Sequence, residues 1–137
     1  MLECLIIGDS IAVGVSEFRK ECRAHVQSGI TSQNFIKSFG NHPEAAKVLV
    51  ISLGANDYTV NTQYYIEKIR ANVTAGVVFW LLPREDRVPN AVAAVRAVAA
   101  KYGDQVIDRP KDVSPDGIHP TAKGYRELAG KTKLDID

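Results

Sequence analysis

The sequence predicts an open α/β sheet of five parallel strands with helices on both faces, and three observations predict it. Short apolar runs without polar alternation recur along the chain, among them Leu5-Ile6-Ile7, Val48-Leu49-Val50-Ile51 and Val77 to Leu82. Such runs are strands buried on both faces. Helix-period stretches separate them, so the order reads βαβαβαβαβα, which implies right-handed crossovers and a parallel sheet. Nothing in between has the composition of a linker or a repeat, and 137 residues suit one domain, 1–137.

The first strand ends at Gly8-Asp9-Ser10, where glycine permits a tight turn, and Ile11 to Lys20 reads as a helix. Arg19-Lys20 closes that helix with the sign that suits a C-terminus, while Gly14 within it implies a close helix–strand contact. Cys22 to Gln27 is the second strand, and Ser28-Gly29-Ile30 turns out of it. Thr31 or Ser32 caps a short helix whose Phe35, Ile36 and Phe39 share a face, and Gly40 stops it. Lys47 to Leu53 is the third strand, ending in Gly54-Ala55-Asn56-Asp57, and Gln63 to Val73 is the third helix. Val77 to Leu82 is closed by Pro83, and Arg84-Glu85-Asp86-Arg87 leads to an Ala/Val-rich helix from about Asn90 to Tyr102. Gln105 to Asp108 is the fifth strand, Arg109 to Pro120 a long loop, and Thr121 to Thr132 the last helix.

Composition narrows the function classes. Lys plus Arg is 17 against 16 for Asp plus Glu, so there is no basic excess for nucleic acid or anionic membrane. No apolar run approaches the ~20 residues of a membrane span. Cys4 and Cys22 lack metal-ligand spacing. Both lie near the start of the first two strands, and two small buried thiols are the favoured reading over a pair. Glu3 stands where a signal peptide carries basic residues, and the apolar stretch is needed as a strand. The expected location is therefore the cytoplasm, although release by another route, such as from a phage-infected cell, leaves the same trace.

In a parallel sheet ligands gather at the carboxyl ends of strands. Four segments leave strands there: Gly8-Asp9-Ser10, Ser28-Gly29, Gly54 to Asp57, and Asp116-Gly117-Ile118-His119-Pro120. Together they hold what acyl transfer through a serine requires, namely a nucleophile, a base, a group to orient the base, and oxyanion donors. Ser10 is the candidate nucleophile at a helix N-terminus, where unpaired amides favour negative charge. His119 is the candidate base, and Asp116, three residues earlier, is placed to orient it. Asp112 is the second choice for that role. The Ser10 and Gly29 amides and the Asn56 side chain are the candidate oxyanion donors. No cofactor or metal is called for.

This set resembles the SGNH hydrolase superfamily, the GDSL-type esterases and lipases. Gly8-Asp9-Ser10 matches its first block, Gly29 its second-block glycine, Gly54 to Asp57 its Gly-x-Asn-Asp, and Asp116 to His119 its Asp-x-x-His. Ile11 replaces the leucine of the family's Gly-Asp-Ser-Leu. The resemblance implies a flavodoxin-like three-layer α/β/α sandwich with strand order 2-1-3-4-5, and ester hydrolysis through an acyl-serine. The chain is short for the family and lacks the loop insertions that shape substrate pockets. A shallow, open pocket is expected, with small acyl groups, acetyl first, and a carbohydrate O-acetyl ester as the partner molecule.

Blander roles compete at each position. Ser10 is the kind of residue that caps a helix, Asn56 and Asp57 can make Asx turns, and Gly29 can be a turn glycine. The other blocks favour the site reading for Ser10, His119 and Asn56, while a turn is favoured for Asp57. Asp9 is read as a structural stitch, Trp80 and Phe79 as core, and Arg84 and Arg87 as a solvated loop in preference to an anion contact. At the level of function, an acyltransferase using the same acyl-serine and a binding module with an idle triad are the alternatives. A phosphate- or flavin-binding domain is remote, because the first loop lacks the glycine density that cradles phosphate.

Overall fold

Five strands alternate with five helices in the computed structural model, which describes residues 1–133. The last four residues of the expected 1–137 domain lie outside the described residues. The elements are β1 (Leu2–Gly8), α1 (Ser10–Glu17), β2 (Arg23–Val26), α2 (Ser32–Phe39), β3 (Ala46–Ser52), α3 (Thr62–Ala71), β4 (Ala75–Leu81), α4 (Pro89–Tyr102), β5 (Gln105–Ile107) and α5 (Ala122–Lys131). All pairings are parallel and the strand order is β2-β1-β3-β4-β5, the flavodoxin-like order expected.

Alternation along the strands builds two cores. Leu5 and Ile7 of β1, Leu49 and Ile51 of β3, and Val78 and Trp80 of β4 face Phe35, Ile66, Ile69, Val92, Val95 and Val98 from α2, α3 and α4. Cys4, Ile6, Val48, Val50, Phe79 and Leu81 face the other way, against Ala12 and Val15 of α1 and Leu128 and Ala129 of α5. Trp80 is fully buried and its indole N–H finds the Asp104 carboxylate at 2.9 Å, as a buried tryptophan requires.

Three local expectations change. Helix α1 stops at Glu17, and Arg19 does not serve its own helix end. Its guanidinium is buried, donating to Thr132 Oγ1 at 2.7 Å and to the Ala129 carbonyl at 3.5 Å, so it closes the C-terminus of α5. Gly14 makes a helix–helix contact, not a helix–strand one, since a Cβ there would lie 2.1 Å from the Tyr125 ring of α5. Cys4 and Cys22 form a disulfide and are not free thiols. The parallel register explains it: Leu5 pairs with Arg23, so Cys4 stands beside Cys22 with Cα atoms 4.8 Å apart and both side chains toward α1 and α5.

Candidate active site

The turn after β1 is set by backbone geometry. Gly8 has φ +138°, and a Cβ on it would overlap the Ser52 carbonyl oxygen at 1.9 Å, so only glycine lets β1 and β3 approach here. Asp9, not Ser10, is the N-cap of α1. Its Oδ1 accepts from the Ile11 amide at 3.1 Å and from the Ser52 hydroxyl at 2.9 Å. That leaves the Ser10 hydroxyl, on the first residue of α1, free of capping duty. Asp9 is completely buried, and desolvation raises its carboxyl to about 6 against the pull of those hydrogen bonds.

Ser10 Oγ lies 3.1 Å from His119 Nε2, and His119 Nδ1 lies 2.9 Å from Asp116 Oδ2. The loop that carries the pair is tied to itself. Asp116 Oδ1 accepts from the Ile118 amide (2.8 Å), the His119 amide (3.0 Å) and the Ser114 hydroxyl (2.8 Å), while the Ser114 amide donates to the His119 carbonyl at 2.8 Å. His119 first, then these donors, hold the Asp116 carboxyl far below the usual carboxylate range. With Asp116 ionised, His119 donates from Nδ1 and accepts at Nε2 from the serine. Asp112 takes no part: it faces Thr121 and Lys123.

Ser10, Asn56 and His119 line one cavity of about 190 Å³ at the carboxyl edge of the sheet. Part of its apolar lining comes from Leu81, Leu82, Ile107 and Leu128, side chains that are buried in the core. Asn56 Nδ2 donates to the Ile30 carbonyl at 3.1 Å, which fixes the amide, and its second N–H has no partner among the described residues. Gly29 precedes Ile30 in a turn with φ +79° and does not line the cavity. Asp57 is more than a turn residue. It is buried and accepts from the Ser32 amide (2.8 Å), the Ser32 hydroxyl (2.6 Å) and the Thr62 hydroxyl (2.6 Å), binding the starts of α2 and α3 to the loop after β3.

The loop of Arg84 and Arg87 is solvated, as expected, with Arg87 exposed, and both arginines also line the cavity. Arg84 pairs with Asp86 at 2.6 Å and donates to the Gly117 carbonyl at 3.0 Å. Two further lining residues escaped the sequence reading. Arg109 donates to the Ile118 carbonyl at 2.6 Å, and its place directly after a strand end was the available signal. Tyr58 is exposed at φ +39°, a strained backbone for an aromatic residue, and follows the Asn-Asp block. Among the described residues, Cys4, Glu21 and Cys22 bring metal-ligand atom types together, but the disulfide leaves no thiolate there. No helix among the described residues is long and apolar enough to cross a membrane.

No family model and no curated protein matches the sequence. Solved structures do match. One is a Bacteroides fragilis protein assigned as an acylhydrolase, with TM-score 0.66, 18% identity, and coverage of 93% of this chain and 82% of that one. The likeness is one of fold. A Desulfitobacterium hafniense protein assigned to the G-D-S-L lipolytic family gives TM-score 0.65 at 13% identity, covering 95% of this chain and 97% of the other. The parallel strand order β2-β1-β3-β4-β5 brings the loops after β1, β3 and β5 to one edge, where Ser10, Asn56 and His119 meet.

Proposed function

We propose that this protein is a serine ester hydrolase. The observation that carries the reading is the unbroken line Ser10 Oγ to His119 Nε2, His119 Nδ1 to Asp116, at the mouth of a cavity. The two structural neighbours, one assigned as an acylhydrolase and one as a G-D-S-L lipolytic protein, support a hydrolase-type function. In the proposed reaction Ser10 Oγ attacks the ester carbonyl carbon while His119 Nε2 takes its proton. The carbonyl oxygen becomes an oxyanion, received by the Ser10 amide, which has no carbonyl partner among the described residues at the start of α1, and by the second N–H of Asn56. Gly29, outside the cavity lining, takes no part. Collapse expels the alcohol, which takes the proton from His119 and leaves Ser10 acylated. Water, deprotonated by the same histidine, then releases the acid and restores Ser10. Asp116 stays ionised throughout and stabilises the imidazolium.

Small acyl groups suit a bounded cavity, acetyl first, and an O-acetylated carbohydrate is a substrate of matching chemistry. The test is turnover of nitrophenyl esters from acetyl to decanoyl by wild type and Ser10→Ala. Hydrolysis that peaks at acetyl and is lost in the variant is expected. Absence of Ser10-dependent turnover on every ester refutes the reading, and a preference for chains of ten or more carbons refutes the small-acyl part alone.

A further inference from the structure

The cavity carries a charge imbalance that the proposed hydrolysis does not use. Arg84, Arg87 and Arg109 line it against a single carboxylate, Asp108, whose exposed side chain faces Arg96 at 3.7 Å. Asp86 offsets Arg84, but neither Arg87 nor Arg109 has a carboxylate within ion-pair distance among the described residues. Arg84 and Arg109 are also brought together: both donate to the Gly117 carbonyl, at 3.0 and 3.5 Å. Burial, and next the neighbouring Arg84 charge, press the Arg109 guanidinium below its usual range, against the smaller opposing pull of the Asp86 and Asp116 carboxylates. Like charges held together in a half-buried wall repel each other, and an anion between them removes the repulsion. Guanidinium forks match the geometry of carboxylate, sulfate or phosphate oxygens.

The reaction geometry says which half of the ester meets them. The leaving oxygen must reach His119 Nε2 to take its proton, so the alcohol half departs over the 117–119 loop, where Arg84 and Arg109 sit. The oxyanion lies on the other side, toward Asn56 and the start of α1. Resting on the esterase reading, we propose that the substrate's alcohol half bears an anionic group, held by Arg109 and Arg87, with Arg84 completing the positive wall.

The test uses two acetates that differ in leaving-group charge, 4-acetoxybenzoate and the isosteric 4-acetoxybenzamide, and reads the ratio of their kcat/KM values. The amide has the better leaving group, so any preference for the carboxylate opposes intrinsic reactivity. A ratio between substrates also cancels a general loss of activity in a variant. Each half-exposed charge contact is worth a few-fold, so wild type should favour the anion by roughly tenfold. The preference should shrink toward unity in Arg87→Gln/Arg109→Gln, persist in Arg87→Lys, and weaken at high salt. A wild-type ratio at or below one, or a ratio unchanged in the double variant, overturns the proposal. Preference for 4-nitrophenyl hemisuccinate over the butyrate, with none between the acetates, overturns its placement on the alcohol half. If neither acetate shows Ser10-dependent turnover, it is the esterase reading that fails. The arginine site is then decided by calorimetry: 4-hydroxybenzoate bound in preference to 4-hydroxybenzamide, and lost in the double variant, supports it, and equal binding overturns it.

Discussion

Replacing Asp9 with asparagine removes a buried carboxyl beside Ser10, keeps a good capping residue, and should erase a pH dependence of unusual sign. In the folded chain burial raises the Asp9 carboxyl from 3.8 to about 6, and its Oδ2 has no hydrogen-bond partner among the described residues. Below pH ~4 both folded and unfolded chains hold the proton, and the site contributes nothing. Between pH ~4 and ~6 the unfolded chain releases it while the folded chain keeps it, so stability falls as pH rises. At about 1.4 kcal/mol per pH unit the full loss is ~3 kcal/mol, complete above pH ~6 and constant thereafter. Asp116, Glu21, Glu44 and Asp86 are shifted downward by their partners and push stability the opposite way, so the wild-type curve alone mixes signs. Those groups are common to both proteins. The informative quantity is therefore the stability of Asp9→Asn minus that of wild type, from urea melts at steps from pH 4 to 8. It should rise by ~2.4 kcal/mol between pH 4 and 7, since the unfolded carboxyl is already partly ionised at pH 4. An unpaired buried amide N–H costs ~1–3 kcal/mol in the variant, but that offset does not change with pH. A flat difference over this range refutes the claim that Asp9 is an uncompensated buried carboxyl.

Asp116→Asn should lower kcat on the order of 10²–10⁴-fold with little change in KM, because the imidazole loses the partner that sets its tautomer and stabilises its cation; a loss under about threefold would remove Asp116 from that role. Asp57→Ala strands the Ser32 amide and two hydroxyls and should cost ~3 kcal/mol or more in chemical denaturation. Asp57→Asn should cost less, since the hydroxyls can turn to accept from the new amide. Opening the Cys4–Cys22 bridge, by reduction or by serine at both positions, should destabilise by about 3 kcal/mol for a sequence separation of 18. Equal melting of oxidised and reduced protein would show that the bridge adds no stability.

The juxtaposition of Ser10, His119 and Asp116 was legible because its signals are local. Asp116 and His119 lie three residues apart, and Ser10 follows a glycine at a strand end, so residue type and short spacing alone pointed to their chemistry. The disulfide was not, for a reason built into a doubly buried sheet: Leu5-Ile6-Ile7 is apolar on both faces, and no polar alternation says which way Cys4 points or which residue of β2 stands beside it. Asp57 looked like a turn residue because its partners lie 5 and 25 residues away. Arg109 looked like any loop arginine because its partners are the carbonyls of Gly117 and Ile118, and a carbonyl has no sequence signature. The apolar lining has no local signature either, since Leu81, Ile107 and Leu128 are core residues of β4, β5 and α5. What a residue can do chemically is set by its type and near neighbours, whereas what the site recognises depends on which loops the strand order makes adjacent. Pairing β4 with β5 puts the loop of Arg84 next to the start of the Arg109 loop, and that pairing, not either arginine's local sequence, makes a positive wall beside His119.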